Sequence, residues 1–414
     1  MSVPDCRSCG TPLEHTFIDL GEQPLSNGFL TPEQLEAGDD PHYPLHVRVC
    51  SNCLLVQADQ VVPADAIFND TYAYFSSYSQ SWLDHAARYS GAATERLGLD
   101  ESSLVIEVAS NDGYLLKTFA AAGIPVLGVE PAANAAEVAL TAGIPTEIAF
   151  FGHDQARALV ERGDAADLVV GNNVFAHVPA LRDFVAGLEA VLKPEAVISI
   201  EAPHLLRMIE RVEFDTIYHE HFSYYSLLAA RDVLRRGGLR VFDVEELSTH
   251  GGSLRIWASR DAAADAWPET TAVERVLEEE RAAGLDSLEG YGSFAPRVER
   301  LLEELRGFLA QAKADGKRVA AYAAAAKGNT LLNSAGVSTD EIAYVVDRSP
   351  HKQGLFLPGS HLPVLDPEHV REDRPDYLLL LAWNLRDEIV EQMAHVREWG
   401  GQFVVPVPSL QVIA

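Results

Sequence analysis

The stretch SLVIEVASNDGYLL (103–116) decides the fold. SLVIEV is a short apolar run typical of a buried strand, and SNDG supplies turn residues before a helical pattern begins. The alternation then continues with the strand candidates PVLGVE (125–130), ADLVVG (166–171) and AVISIE (196–201), the last preceded by the helical segment LRDFVAGLEAVL (181–192). Strands that alternate with helices at this spacing predict parallel βαβ units and therefore an α/β domain.

A second alternating series lies further along the sequence. Its strand candidates are RVAAYAA (318–324), EIAYVVD (341–347), YLLLLA (377–382) and QFVVPV (402–407). Between the two series, residues 271–314 are helical and rich in charge, which is most simply a solvated helix face. We therefore predict a second Rossmann-like α/β domain after the helical region.

The cysteines form two C-x-x-C pairs near the start of the sequence, Cys6 with Cys9 and Cys50 with Cys53. Four thiolates complete a tetrahedral structural zinc site and leave no open coordination position for catalysis. Two disulfides or free thiols are the alternative, and a reducing compartment disfavours disulfides. We therefore expect structural Zn²⁺ in an N-terminal module.

Length and charge limit the possible architectures and partners. The chain has 414 residues, more than one core usually organises. We expect a zinc-binding module (1–70), a central domain (71–245) and a C-terminal domain (246–414). The net charge of −29 argues against nucleic acid or an anionic membrane as the main partner. Because signal-peptide features and a span-length apolar run are absent, we expect a cytoplasmic protein.

The turn after the first strand of the central domain indicates its cofactor. Glu107 ends the strand, and the turn consists of Ser110, Asn111, Asp112 and Gly113. Ligands of parallel sheets bind beyond the carboxyl ends of the strands. The turn lacks G-x-G-x-x-G, which argues against a dinucleotide because a pyrophosphate needs amides exposed by glycines. A turn with Asp112 and one glycine suits a ligand with a cationic end and no phosphate, such as S-adenosylmethionine.

An acidic residue also ends the second strand. Glu130 is placed to bind ribose hydroxyls, although this feature alone fits NAD as well. In combination, EVASNDG (107–113), VEP (129–131) and GNNVFAHV (171–178) resemble class I methyltransferases. That resemblance adds Pro131, Asn172 and Asn173 to the expected cofactor site. Ala109 departs from the family pattern, which usually has glycine there. The alternative is that Glu107 and Asp112 are only a cap and a turn residue.

Further motifs follow in order across nearly the whole chain: LGEQPLSNGFL (20–30), YAYFSSYSQSW (72–82), IYHEHFSYYS (217–226), HGGSLR (250–255) and AAAKGNTLLN (324–333). Together with the cysteine pairs they resemble the zinc-containing sugar C-methyltransferases of deoxysugar biosynthesis, of the tetronitrose, kijanose and mycarose type. The resemblance implies a zinc module, a class I methyltransferase domain and a second Rossmann-like domain. It also implies methylation of C-3' of a dTDP-linked 4-keto-deoxysugar. Phe75 departs from the family pattern, which often has histidine there.

Methylation of carbon requires a base that removes a proton next to the ketone, and groups that stabilise the enolate oxygen. Histidine meets the first requirement. The family resemblance makes His221 the general base and adds Tyr218, Glu220, His177 and Tyr72 to the active centre. In an extended segment, alternation would place Glu220 and His221 on opposite faces. We therefore predict a bend or loop around these residues.

The triplet His219-Glu220-His221 has two other interpretations. The two histidines could share a metal ion with a histidine elsewhere, or they could be core or surface residues without a role. H-E-H lacks the helical spacing of H-E-x-x-H, and the four cysteines already account for zinc. We therefore prefer the catalytic interpretation.

The second α/β series contains the candidate acceptor site. Lys327 and the following amides lie where a strand meets a helix, an arrangement that suits a phosphate of a dTDP-sugar. THGGSLR (249–255) could let backbone approach the ligand, or could be only a tight turn with a surface arginine. The expected substrate-binding residues are Lys327, Asn329, Thr330, Ser253, Arg255, Trp383 and Asn384.

Two other functions remain open from the sequence. A nicotinamide-dependent oxidoreductase could use either doubly wound domain, although neither has the glycine fingerprint. A non-catalytic zinc-containing scaffold would make the histidines and tyrosines incidental.

Overall fold

The computed structural model describes residues 3–68 and 75–413. The chain forms two compact units that alternate along the sequence. The first unit contains the described residues of Met1–Glu14, Val49–Leu205 and Phe222–Gly290, and the second contains those of His15–Arg48, Leu206–His221 and Tyr291–Ala414. The three consecutive domains expected from the sequence stay a prediction.

The eight strands that the sequence predicts are present, and the described residues form further strands that it did not indicate. The strands are β1 (His15–Pro24), β2 (His42–Val49), β3 (Val56–Ala58), β4 (Val105–Val108), β5 (Val126–Glu130), β6 (Thr146–Ile148), β7 (Ala166–Asn172), β8 (Leu192–Pro203), β9 (Ser223–Tyr224), β10 (Leu239–Leu247), β11 (Ser253–Arg260), β12 (Val319–Tyr322), β13 (Val345–Val346), β14 (Val364–Leu365), β15 (Tyr377–Leu380), β16 (Gln402–Val405) and β17 (Gln411–Ile413). The helices are α1 (Pro32–Ala37), α2 (Ala64–Ile67), α3 (Gln80–Leu97), α4 (Leu116–Ala121), α5 (Ala133–Thr141), α6 (His153–Glu161), α7 (Leu181–Val191), α8 (Leu205–Glu210), α9 (Leu227–Arg236), α10 (Thr271–Ala282), α11 (Phe294–Ala314), α12 (Ala326–Ala335), α13 (His369–Asp373) and α14 (Arg386–Gln392).

The first unit is built on a seven-stranded sheet with the order β10-β11-β8-β7-β4-β5-β6. Strands β4 to β8 are parallel, and β11 runs antiparallel between β8 and β10. Successive residues of β4 face opposite sides: Val105 belongs to the buried cluster that contains Trp82 and Phe119, whereas Ile106 belongs to the cluster that contains Phe184. Helices therefore cover both faces, as expected for a doubly wound sheet.

The strand β11 was not among the strands predicted from the sequence. It pairs with β8 over Ser253–Ser259 and extends the sheet beyond the parallel series. Strand β11 lies in the part of the sequence after residue 245, where the composition changes. Its partner β8 lies some 50 residues earlier, so no local pattern indicated that the two strands pair.

The second unit has a six-stranded sheet with the order β14-β13-β12-β15-β16-β17, parallel except for β17. This confirms the second Rossmann-like sheet. Helix α12 packs closely against the end of β15, since a Cβ atom on Gly328 would lie 2.6 Å from Cβ of Leu381. Glycine is therefore required at this position.

The charge-rich segment before the second sheet forms α11, as predicted. Its buried residues include Phe294, Leu301 and Leu305, and the Phe294 ring stacks on Phe17 of β1 with 4.6 Å between ring centroids. In the part of the chain that the structure describes, no helix combines the length and apolar character needed to cross a membrane.

Candidate active site

The turn after β4 is fixed by the carboxylate at the end of β5. Glu130 accepts hydrogen bonds from the backbone N–H groups of Asn111 and Ala132, each at 2.8 Å. Ala109 and Asn111 have φ values of 55° and 51°, in the left-handed region that favours glycine. Ala109 therefore adopts the backbone conformation of the glycine that the family usually has here, and this conformation is strained for an L-residue.

Buried acids surround this turn. Glu107 is 1% exposed, and burial raises its pKa well above the ordinary value, with the charges of Glu130 and Asp112 acting in the same direction. Its Oε2 atom and Oδ1 of Asp112 have no hydrogen-bond partner among the described residues. Buried polar atoms are normally satisfied, so these two atoms could accept hydrogen bonds from a polar or cationic ligand.

The segment before α3 closes over the same turn. The backbone N–H of Ser76 donates to Oδ1 of Asn111 at 2.9 Å, and that of Ser77 donates to Oδ2 of Asp112 at 3.0 Å. The sequence showed this segment only as a family motif. These bonds give Ser76 and Ser77 of that motif a structural role at the turn after β4.

The carboxyl end of β7 lies next in the sheet. Asn172 is 8% exposed, and neither polar atom of its amide has a partner among the described residues. Asn173 adopts a φ of 54° and contacts Nε2 of His250 through Nδ2 at 3.1 Å. Unsatisfied polar atoms thus occur at the ends of β4 and β7, which matches the expected position of a cofactor in a parallel sheet.

A buried carboxylate that sequence reasoning missed supports this edge. Glu201 of β8 is fully buried and contacts Nε2 of His85 and Nη2 of Arg255, each at 2.8 Å. It also accepts from the Thr249 hydroxyl at 2.8 Å, and these partners hold its pKa below the ordinary value despite its burial. The residues lie far apart in sequence, so only the hydrophobic strand around Glu201 was visible beforehand.

Ser253 and Arg255 therefore have partners inside the first unit. The Ser253 hydroxyl donates to the carbonyl of Thr249 at 3.0 Å, which closes the turn. Arg255 is 5% exposed and forms ion pairs with Glu201 and, at 3.2 Å, with Glu245. Arg255 is thus not a surface arginine, and a substrate role for either residue stays a prediction.

Two other members of the predicted catalytic set, His177 and Tyr72, come earlier in the sequence. His177 lies in a short 3-10 helix (Phe175–His177), and its ring lies edge-on to Phe68 with 5.6 Å between ring centroids. Tyr72 lies outside the described residues.

In the second unit, residues 217–221 form a bend and a turn rather than a strand, as predicted. The backbone N–H of His221 donates to the carbonyl of Tyr218 at 2.9 Å. The Tyr218 and His221 rings lie 4.1 Å apart, and Nδ1 of His221 lies 2.7 Å from the carbonyl oxygen of Thr216. The turn thus brings the Tyr218 and His221 rings together, with Glu220 between them in the sequence.

The side chain of Glu220 is buried within this turn. Asn27 donates to its Oε1 atom at 2.6 Å, and desolvation raises the pKa of Glu220 to about 7. His219 instead contacts the Pro44 carbonyl at 3.3 Å and packs edge-on against Tyr43, and burial lowers its pKa. The two histidines therefore have separate environments, which does not favour a shared metal ion.

The predicted acceptor residues of α12 have different surroundings. The Thr330 hydroxyl donates to the carbonyl of Ile217 at 3.0 Å, and Asn329 accepts from the Asn333 side chain at 3.1 Å. Lys327 lies over the ring of Trp383, with 4.8 Å between Nζ and the ring centroid, and Asn384 is half-buried beside it. No side chain among the described residues caps α12, so its first N–H groups lack a side-chain acceptor.

The four cysteines lie together in the first unit. Their sulfur atoms lie within 4.8 Å of one another, and the pairs Cys6–Cys53 and Cys9–Cys50 are each 3.5 Å apart. Four sulfurs at a Zn–S distance of about 2.3 Å would be roughly 3.8 Å apart, so the cluster fits a tetrahedral zinc ion. Hydrogen bonds from Cys50 and Cys53 lower the pKa of Cys6. Among the described residues this is the group positioned to bind a metal.

Comparison with known proteins gives matches along the chain. Residues 6–68 match the family model described as "Putative zinc binding domain", 80–244 match "Methyltransferase domain" and 248–408 match "C-methyltransferase C-terminal domain". The chain is 38% identical to C-methyltransferase NovU of Streptomyces niveus over 412 residues, which cover 100% of this chain and 97% of NovU.

Solved structures align with part of the chain. An S-adenosylmethionine-dependent methyltransferase from Mesorhizobium loti is 16% identical, with 43% of this chain and 100% of that chain covered and a TM-score of 0.34. One from Clostridium acetobutylicum is 11% identical, with 43% and 92% covered and a TM-score of 0.35.

Proposed function

The chain belongs to the zinc-containing, S-adenosylmethionine-dependent C-methyltransferase family, and on that premise we propose that it methylates C-3' of a dTDP-linked 4-keto-deoxysugar. The family assignment confirms the predicted cofactors, S-adenosylmethionine and structural zinc. The observation that supports the proposed reaction most is the turn that brings the Tyr218 and His221 rings together, in a segment that also contains the buried Glu220. A zinc thiolate site suits a reducing compartment, so we place the reaction in the cytoplasm.

His221 is the proposed base. A carbonyl oxygen only accepts hydrogen bonds, so the contact with Thr216 places the ring hydrogen on Nδ1 and the lone pair on Nε2. Nε2 removes the proton from C-3', and the C–H bonding pair forms the enolate. The imidazolium that results is stabilised through Nδ1–H by the Thr216 carbonyl.

The enolate oxygen requires hydrogen-bond donors. Glu220 has a pKa of about 7, so near neutral pH a large share of this carboxyl group is protonated and able to donate. Tyr218, whose ring lies 4.1 Å from that of His221, is the second donor in the proposal. By the family resemblance, His177 and Tyr72 complete the active centre.

When bound, S-adenosylmethionine would supply the electrophilic methyl group for the C-3' carbanion, with S-adenosylhomocysteine as the leaving group. In the first unit, Oδ1 of Asp112 and the amide of Asn172 have unfilled hydrogen-bonding capacity that suits its amino acid part. Each oxygen of Glu130 accepts one backbone bond and retains a lone pair for a ribose hydroxyl. Glu107, Ser110, Asn111, Gly113, Pro131 and Asn173 shape this proposed cofactor site.

The nucleotide is proposed to bind at the start of α12, where uncapped N–H groups suit a diphosphate. Lys327, Asn329, Thr330, Trp383 and Asn384 are the proposed acceptor residues of this unit, and Ser253 and Arg255 those of the first unit. Asn329 and Thr330 already form hydrogen bonds within the unit, so in this proposal they stabilise the start of the helix at which the acceptor binds.

A direct experiment is incubation with S-adenosylmethionine and a panel of dTDP-4-keto-deoxysugars. Mass spectrometry should detect the gain of one methyl group on one or more sugars, with formation of S-adenosylhomocysteine. Methyl transfer to no member of the panel, by protein that binds S-adenosylmethionine, would contradict the proposed acceptor class.

A further inference from the structure

Two ionisable side chains contact one indole ring in the second unit, and a third interacts with both of them. Trp383 donates from Nε1 to Oδ2 of Asp215 at 2.6 Å, and Nζ of Lys327 lies 4.8 Å from the centre of the same ring. Glu213 precedes the short helix (Phe214–Thr216) that contains Asp215 and interacts electrostatically with both Asp215 and Lys327. We call Glu213, Asp215 and Lys327 the Trp383 cluster.

The Trp383 cluster has unused hydrogen-bonding capacity. Glu213 is 3% exposed and Asp215 is fully buried. Oε1 of Glu213, Oδ1 of Asp215 and Nζ of Lys327 are buried and have no hydrogen-bond partner among the described residues. Burial raises the pKa of Glu213 to about 7 and that of Asp215 to about 6, and lowers that of Lys327. A buried donor and two buried acceptors left unmatched are costly, which points to a ligand.

The arrangement of charges selects the kind of ligand. With all three groups ionised, the Trp383 cluster has one more negative than positive charge, and Arg211, which also acts on Glu213, is exposed to screening solvent. A diphosphate would add negative charge beside two buried carboxylates. A hydroxyl group both donates and accepts, so it would satisfy a carboxylate oxygen and the ammonium group at once.

The position of the Trp383 cluster indicates which part of the acceptor it meets. Asp215 directly precedes Thr216, whose carbonyl accepts from His221, and Thr330 holds the next carbonyl, that of Ile217. Asp215 of the cluster is therefore in the same hydrogen-bonded segment as the proposed base, where the reacting sugar is expected.

We propose that Glu213, Asp215 and Lys327 bind a ring hydroxyl of the acceptor sugar and not its diphosphate. This inference rests on the proposed function and changes the role of Lys327 from the phosphate contact expected from the sequence. The Trp383 cluster then discriminates hydroxylated from deoxygenated sugars, because a deoxy ligand leaves the buried polar groups unpaired.

The test measures binding of dTDP and dTDP-glucose by calorimetry, without turnover. We expect the wild type to bind dTDP-glucose at least about ten-fold more tightly than dTDP. Lys327→Met should reduce that ratio to below about two while leaving the affinity for dTDP unchanged, and Glu213→Gln should reduce it in the same direction. Lys317→Met is the matched control, because this lysine pairs with Asp376 at the exposed surface of the same unit.

Three results would overturn the inference: loss of dTDP affinity in Lys327→Met, which would indicate a phosphate contact; unchanged ratios in both variants, which would indicate an internal ion cluster; or equal affinities of the wild type for dTDP and dTDP-glucose. Thermal unfolding of each variant checks that it folds. If Lys327→Met does not fold, the binding test is made with Glu213→Gln. Failure of the wild type to bind dTDP at all would instead count against the proposed function.

Discussion

The imidazole Nδ1 of His221 lies 2.7 Å from the carbonyl oxygen of Thr216. This bond fixes the ring hydrogen on Nδ1, so the proton acceptor of a neutral His221 is Nε2. Because Tyr218 and Glu220 belong to the same turn, one local structure contains the proposed base and two candidate donors.

His221→Asn should abolish methylation while cofactor binding persists. Asparagine retains a donor for the Thr216 carbonyl but has no basic nitrogen, so we expect kcat to fall by about 10²–10⁴-fold. Exchange of the C-3' proton with deuterated water, followed by NMR, should be lost in parallel. His219→Asn is the control, since His219 contacts Pro44 and not Thr216, and it should keep most of the activity. Proton exchange at the wild-type rate in His221→Asn would exclude His221 as the base.

Glu220→Gln should change the pH dependence of stability. The pKa of Glu220 is raised to about 7 in the folded protein, above its ordinary value of 4.5. Between these values the folded state binds a proton that the unfolded state has released, so this group lowers the free energy of unfolding as pH rises from about 4.5 to 7. Above pH 7 this decrease in the free energy of unfolding is constant and on the order of 3 kcal/mol. Urea unfolding from pH 5 to 8 should show a smaller decline in Glu220→Gln, whose side-chain oxygen still accepts from Asn27. Identical slopes in both proteins would show that Glu220 is not protonated on folding.

Glu130→Ala should weaken binding of S-adenosylmethionine by at least about ten-fold, because it removes the acceptor of two backbone N–H groups that hold the turn after β4. Calorimetric titration with S-adenosylhomocysteine measures this change. Glu137→Ala, on the exposed side of α5, is the control and should bind normally. Equal affinity of the two variants would argue against a cofactor site at this turn.

Ala109 should be replaceable by glycine but not by valine. Its φ of 55° costs an L-residue roughly 1–2 kcal/mol, and a β-branched side chain tolerates this region less well. Ala109→Gly should therefore retain stability to within about 1 kcal/mol, whereas Ala109→Val should lose more than about 2 kcal/mol in urea unfolding. A valine variant as stable as the wild type would contradict the backbone conformation of this turn.

Zinc should bind with a stoichiometry of one ion per chain and protect all four thiols. Every cysteine of the sequence belongs to the cluster, so native protein should show almost no reactive thiol until a chelator is added, and four afterwards. Cys50→Ser should lose zinc and several kcal/mol of stability, on the scale of structural zinc sites. Asn52→Ala, between the two cysteines of the second pair, is the control and should keep the metal. Full thiol reactivity of native, metal-replete protein would contradict the site.

Local patterns in the sequence predicted much of the fold. Apolar runs such as 103–108 and 377–382 correspond to β4 and β15, and the C-x-x-C spacing predicted the cysteine cluster. The bend at 217–222 was also predicted, because strand alternation conflicts with grouping Glu220 and His221.

Features that depend on distant residues were not visible in the sequence. Glu201 meets His85 and Arg255 across 116 and 54 residues, and Trp383 meets Asp215 across 168. Each of these side chains is ordinary in its local sequence. Their burial and their partners follow from the sheet topology, which local periodicity does not specify.

The most direct test of the proposed function uses S-adenosylmethionine with a ¹³C-labelled methyl group and a dTDP-4-keto-deoxysugar deuterated at C-3'. We predict that NMR will show the labelled methyl carbon bonded to C-3' of the product and that the deuterium will be lost. A labelled methyl on oxygen, or a C-methylated product that keeps the deuterium at C-3', would contradict the enolate mechanism at this carbon.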